Sequence, residues 1–215
     1  MSIREKIVLS WSGGKDSAIA AYHLMSSQQY EIGALMTTVT EGYDRISMHG
    51  VRRELLEMQA DSLGVPLHKI MIPTDCTNEI YEARMRESLD LFKSRGIAKI
   101  AFGDLFLADL KRYRDEQLAQ AGMTGIYPLW MRDTDELVCI FINLGFKAIL
   151  SCVDTEAIDA SFAGREIDED LLRDLPETAD PCGENGEFHS FVYAGLPVQL
   201  LRYTPDMRKN ACAAC

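Results

Sequence analysis

The sequence predicts a doubly wound parallel α/β fold with a smaller C-terminal α+β region. Short β-branched runs alternate with helical stretches, the first run ends in a glycine turn that opens a helix, and this rhythm loosens beyond about residue 104. Lys6–Trp11 (KIVLSW) is apolar throughout its centre, as in a strand covered on both faces. Ser12-Gly13-Gly14-Lys15-Asp16-Ser17 follows, and then AIAAYHLMSS, which favours helix. Ile32–Thr38 predicts a second strand, Val51–Leu63 a helix, and Leu67–Ile72 a third strand closed by Pro73. Asn78–Arg95 predicts a helix stopped by Gly96, and Lys99–Phe102 a fourth strand. Leu107–Ala121 is a charged amphipathic helix stopped by Gly122, and Pro128-Leu129-Trp130 marks a turn or edge. Thr134–Leu144 predicts a helix capped by Thr134, Lys147–Val153 a strand, and Asp168–Leu175 a short acidic helix. Pro181–Val192 is rich in Gly and Glu without periodicity, and Thr204–Cys215 reads as a loose tail.

Composition limits the function classes. With 22 basic and 33 acidic residues, the net charge of −11 argues against a nucleic-acid backbone or an anionic membrane as main partner. The apolar run around Phe146–Val153 is broken by Lys147 and Ser151, so no membrane span is expected. Met1–Lys6 leads into a strand-like segment without a signal-peptide pattern. Cys76, Cys139, Cys152 and Cys182 are widely scattered, which suits reduced thiols and a cytoplasmic protein. Cys212 and Cys215 form a CxxC, at most two of the four ligands of a zinc site, and read as part of the tail.

The strongest chemical signal is SGGKDS between a strand and a helix. Adjacent glycines let the backbone approach an anion closely, and amides at the following helix N-terminus point at it. Ser10, Ser12 and Ser17 add hydroxyls and Lys15 a positive charge, while Asp16 suits a Mg²⁺ contact beside a nucleotide. Neither a Walker A nor a GxGxxG pattern is present. The second constellation, Asp180-Pro181-Cys182-Gly183-Glu184-Asn185-Gly186-Glu187-Phe188-His189, packs carboxylates, a thiol, an amide and an imidazole into ten residues. Glu184 and Glu187 could hold ammonium, bind Mg²⁺ or act as a base; the alternative is a surface turn with solvated glutamates.

Weaker candidates stand at expected strand ends. Glu41, Asp44, Arg45 and His49 follow the second strand, where a carboxylate or phosphate could meet Arg45, or where a charged surface loop would serve no ligand. Thr37 ends that strand beside an expected adenosine site. Gly103 and Asp104 follow the fourth strand, Asp104 as a nucleotide contact or a helix cap. Lys111, Arg112 and Arg114 share a helix, facing either an anionic substrate or solvent.

SGGKDS resembles the pyrophosphate-binding loop of the N-type ATP pyrophosphatases, the PP-loop superfamily with its adenine nucleotide alpha hydrolase-like, Rossmann-like fold. DPCGENGEFHSF is similar to the GE-G/N-GE-F/Y motif of the diphthine–ammonia ligase family, whose members also carry SGGKDS near the N-terminus. The resemblance spans roughly residues 6–192 and implies ATP-dependent amidation of a carboxylate, with AMP and pyrophosphate as products and Mg²⁺ as cofactor. It implies that Ser12, Gly13, Gly14, Lys15, Asp16 and Ser17 bind the pyrophosphate end of ATP. Glu184, Asn185, Gly186 and Glu187, with Gly183, would line the acceptor or ammonia site. The domains it implies are an ATP-binding unit over 1–125 and a substrate-binding region over 126–200, followed by a flexible tail over 201–215. EGYDRISMHGVRRELLE (Glu41–Glu57) and FGDLFLADLKRYR (Phe102–Arg114) depart from the archaeal and eukaryotic pattern and resemble the bacterial-type branch. Diphthamide is not expected in bacteria, so the acceptor, a small molecule or a protein side chain, need not be diphthine. Free ammonium is the expected nitrogen donor, and a homodimer is compatible with this reading. A sulfurtransferase acting on tRNA, and a catalytically silent ATP- or AMP-binding protein, are the alternatives.

Overall fold

The computed structural model describes residues 4–42 and 51–195. Five strands, β1 (Glu5–Ser10), β2 (Tyr30–Thr40), β3 (Leu67–Ile72), β4 (Lys99–Ala101) and β5 (Thr124–Ile126), form a parallel sheet in the order β3-β2-β1-β4-β5. Between them run α1 (Lys15–Ser26), α2 (Arg53–Leu63), α3 (Asn78–Ser94) and α4 (Ala108–Gln120). The winding direction reverses at β1, which has β2 on one side and β4 on the other. Open parallel sheets bind ligands at such a switch point, outside the carboxyl ends of the strands.

The continuous apolar run of β1 is explained by cover on both faces. Ile7 and Leu9 join the core formed with α1 and α2, whereas Val8 points into a second core with Met36, Ile70, Leu89, Phe92 and Ile100 on the α3–α4 side. Helix ends follow local chemistry. Thr77 caps α3 by accepting from the Ile80 amide at 3.3 Å, and Gly96 after it takes φ +77°.

Beyond the sheet, α5 (Thr134–Asn143), β6 (Lys147–Val153), a 3₁₀ turn at Ala160–Phe162, α6 (Glu169–Asp174) and β7 (Phe188–Ala194) complete the described chain. β6 and β7 pair antiparallel as a separate two-stranded sheet. Phe141, Phe146, Ile149, Phe191 and Val192 join the α1–α2 core, so the second sheet packs onto the same apolar cluster as the first.

The structure differs from expectation at four points. Asp133, not Thr134, caps α5, its carboxylate accepting from the Glu136 amide at 2.9 Å, while the Thr134 hydroxyl donates to Asp180 at 2.8 Å. The aperiodic segment Pro181–Val192 runs into β7, and three-residue β5 was not foreseen. Cys76, Cys139 and Cys182 are free thiols, but Cys152 is disulfide-bonded, against the expectation of reduced thiols. No helix among the described residues is long and apolar enough to cross a membrane.

Phe191 has no exposed surface and lies where the second sheet meets the shared core. Phe191→Ala is expected to cost about 3–5 kcal/mol of unfolding free energy, read from the urea midpoint.

Candidate active site

The turn after β1 is shaped by close contact. Gly13 has φ +79°, and a Cβ there would meet Leu56 Cδ2 at 2.5 Å and Gln59 Oε1 at 2.7 Å, so glycine is required on both conformational and steric grounds. A Cβ on Gly103 would lie 3.0–3.1 Å from the backbone of Asp16 and Ser17, so the end of β4 is pressed onto the start of α1. The Gly14 amide donates to Ser12 Oγ at 3.3 Å, the Lys15 amide to Ser190 Oγ at 3.1 Å, and Ser17 Oγ to the Gly14 carbonyl at 2.9 Å. No bond is made by the amides of Asp16 and Ser17 to an acceptor among the described residues. Unpaired first-turn donors at the positive end of a helix dipole are suited to an anion.

β7 reaches across to this turn. The Val192 amide donates to the Gly13 carbonyl at 2.9 Å, joining the second sheet to the loop. The segment before β7 thereby comes over the N-terminus of α1, and Lys15 Nζ lies 4.0 Å from Glu184 Oε1 besides pairing with Asp16. The Lys15 side chain is only 1 % exposed. Burial opposes its charge, but Asp16 and Glu184 outweigh that and hold the ammonium protonated above its ordinary range.

The two glutamates of GENGE occupy different environments. Glu187 turns inward: Oε1 accepts from the Asp180 amide at 2.8 Å and from Asn185 Nδ2 at 3.2 Å, and Oε2 from the Asn185 amide at 3.0 Å. Burial pushes its pKa up, but these donors prevail and hold it below the ordinary carboxylate range. Glu184 lines the cavity instead. Burial, then repulsion from Asp16, raises it to about 7 despite Lys15. Gly183 and Gly186, at φ +73° and +93°, make the turns that separate the two.

Ser10, Ser12, Gly14, Asp16, Ser17, Thr37, Gly103, Asp104, Gly183, Glu184 and Gly186 line one cavity of about 430 Å³. Gly13, Lys15 and Glu187 are buried and absent from the lining; Asn185 is exposed on the GENGE turn. Glu41 is exposed and outside the lining, and Asp44, Arg45 and His49 lie outside the described residues. Asp104 is not a helix cap but pairs with Arg114, whose guanidinium sits 4.4 Å from the Phe102 ring centroid. Of the three basic residues on α4, only Arg114 lines the cavity; Lys111 pairs with Asp115 and Arg112 with Asp109. Sequence reasoning also missed the apolar wall between α3 and α4, including Tyr81, Met85 and Tyr113. Nothing in a single amphipathic helix marks which apolar side chains face a cavity.

Cys182 is buried, and its thiol donates to the Thr134 carbonyl at 3.3 Å. Burial pushes it up to about 12, although Lys15 pulls the other way, so it is a thiol at neutral pH. No group of three potential metal ligands occurs among the described residues. Mg²⁺ commonly takes one or two carboxylates and completes its shell with water and substrate phosphates, and Asp16 in the cavity fits that pattern.

A family model described as the diphthamide synthase N-terminal domain matches residues 5–124, and one described as the diphthamide synthase C-terminal domain matches residues 133–202. The tRNA-specific 2-thiouridylase MnmA of Vibrio cholerae serotype O1 is 30 % identical over 86 residues, 39 % of this chain and 23 % of that protein. Its counterpart from Alkalilimnicola ehrlichii is 32 % identical over 89 residues, 40 % and 24 % of the respective chains. The aligned stretch covers about a quarter of the length of these relatives. Among solved structures, the U34-tRNA thiolase NcsA from Methanococcus maripaludis gives a TM-score of 0.41 at 18 % identity, covering 66 % of this chain and 56 % of that one. The two family matches take in the phosphate loop at one end and the GENGE segment at the other, and the chain belongs to the diphthamide synthase family of PP-loop ATP pyrophosphatases.

Proposed function

We propose that this protein is an AMP-forming ligase that converts an acceptor carboxylate to an amide with ammonia. The observation that carries the reading is the meeting of Lys15 and Asp16 with Glu184, 4.0 Å from Lys15 Nζ, beside one cavity. In the first step a carboxylate oxygen attacks the α-phosphorus of ATP, and the bond to the β,γ-pyrophosphate breaks. In the second, ammonia attacks the acyl carbon, the C–O bond to AMP breaks, and one proton is released.

Each residue set has a part in this scheme. The amides of Gly14, Asp16 and Ser17 receive the pyrophosphate oxygens, where charge develops as the first bond breaks. Lys15, held protonated, supplies fixed positive charge behind them. Asp16 would hold Mg²⁺, which neutralises phosphate charge when bound. Thr37, which lies three residues inside β2 and not at its end, contacts adenosine from the cavity wall, and Gly103 lets β4 approach the loop. Glu184, which titrates near neutrality, takes the proton from the attacking nitrogen. Glu187 shapes the turn that presents Glu184. The named activities of the thiouridylase relatives favour a second reading, sulfur transfer to tRNA. Cys182, the cavity's own thiol, is protonated and occupied by Thr134, which weighs against it as a sulfur carrier.

Nucleotide products formed with ATP, Mg²⁺, ammonium and a cell metabolite extract test the reaction class. AMP and pyrophosphate formed only with extract and ammonium are expected; ADP and phosphate, or dependence on tRNA and a sulfur donor, would overturn it. Glu184→Gln should lower the AMP-forming rate ~10²–10⁴-fold with ATP affinity little changed.

Glu184 also predicts a pH effect on stability. The unfolded chain loses this proton near 4.5 and the folded chain near 7, so the folded state binds more proton between them. Stability contributed here therefore falls as pH rises through that window. The melting temperature of Glu184→Gln relative to the parent protein should be higher at about pH 8 than at about pH 4.

A further inference from the structure

Gln59 is a fully buried amide on a helix whose neighbouring buried residues, Leu55, Leu56 and Ala60, are apolar. Its side chain has three partners. Oε1 accepts from the Trp11 indole at 2.8 Å, and Nε2 donates to the Gly13 carbonyl at 3.0 Å and to the Val192 carbonyl at 2.6 Å. An indole N–H only donates and a carbonyl only accepts, so these partners fix which end of the amide is oxygen.

The Gly13 carbonyl is the informative partner. Gly13 has φ +79°, and a glycine in a turn can rotate its following peptide more freely than other residues. That carbonyl is gripped from two sides, by Gln59 Nε2 and by the Val192 amide. In a planar trans peptide the C=O and the next N–H point in opposite directions. Holding the Gly13 carbonyl inward therefore turns the Gly14 N–H outward, where it makes only a 3.3 Å contact with Ser12 Oγ. Ser12 and Gly14 both line the cavity. A bond that long is readily exchanged for a charged phosphate oxygen.

We propose that Gln59 is a positioning residue that locks the Gly13–Gly14 peptide in the orientation that recognises pyrophosphate, and that it ties β7, the strand that follows GENGE, to the loop through Val192. It touches no nucleotide itself. The proposal rests on the reading of SGGKDS as a pyrophosphate site. Losing Gln59 leaves the Gly13 carbonyl held by the Val192 amide alone, so the peptide is less firmly fixed against turning its carbonyl dipole toward the place where an anion must bind, while the adenosine end of the cavity is untouched.

The test is calorimetric binding of Mg²⁺–pyrophosphate and of adenosine, separately, to the parent protein, to Gln59→Met and to Trp11→Phe. Gln59→Met should weaken pyrophosphate ~10- to 100-fold, the loss of about one charge-assisted hydrogen bond or a little more, with adenosine affinity within about twofold. Trp11→Phe keeps an aromatic wall but removes the donor that orients the amide, and should weaken pyrophosphate by a smaller factor in the same selective way. Unchanged pyrophosphate affinity in a folded Gln59→Met overturns the proposal. Equal losses for pyrophosphate and adenosine in both variants also overturn it, since that pattern marks general loosening. Failure of the parent protein to bind pyrophosphate or ATP would instead remove the reading of the loop, and the proposal with it.

Discussion

A single buried charge organises this protein. Lys15 places an ammonium at 1 % exposure under the N-terminus of α1, where the helix dipole is itself positive. A buried cation without partners costs several kcal/mol, so the surroundings must supply negative charge. Asp16 supplies it from the next position, and Glu184 supplies it from a turn that is distant in sequence. The antiparallel sheet must therefore lie across the switch point of the parallel one, and β7 is fixed there by the Val192 amide on the Gly13 carbonyl. Packing agrees with electrostatics, since both sheets share the α1–α2 core.

Charge bookkeeping around Lys15 also explains why the two glutamates of one short motif differ. One ammonium stabilises one neighbouring carboxylate well, and Asp16 pairs with it directly. Glu184 then experiences desolvation and the repulsion of Asp16 more than the attraction of Lys15, and its proton is retained toward neutrality. Glu187, three residues on, meets backbone and side-chain N–H groups and stays ionised. Carboxylates whose environments separate their titration are a recurring means of dividing structural from chemical work. In this chain the division depends on the positive-φ glycines that alternate with the glutamates, because the two side chains must leave the turn in different directions.

Much of this was legible in the sequence, for physical reasons that differ by residue. The parallel strands β1–β4 and the helices between them announce themselves through period and stop signals, and α3 begins at Asn78 and stops before Gly96 as expected. SGGKDS stands out because glycines, hydroxyls and a lysine at a strand–helix junction serve little else. β5 was hidden because three residues carry no period, and β7 because its aromatic run follows an irregular turn. The α5 cap was misplaced by one residue, since Asp133 and Thr134 are both good caps and only tertiary contact with Asp180 decides between them. Gln59 was invisible: a glutamine in an amphipathic helix reads as solvated, and its burial follows from long-range partners at Trp11, Gly13 and Val192. Arg114 was one of three similar basic residues until Phe102 and Asp104 distinguished it.

Glu184 and Glu187 differ chemically because they face different surroundings, and carbon NMR titration of the side-chain carboxyls in glutamate-labelled protein tests that difference most directly. One resonance titrating near 7, absent in Glu184→Gln, is predicted, together with a second, absent in Glu187→Gln, titrating below the ordinary glutamate value. Glutamate carboxyls that all titrate together near 4.5 would contradict the account, because the turn would then be a solvated surface feature without a proton acceptor poised for the reaction.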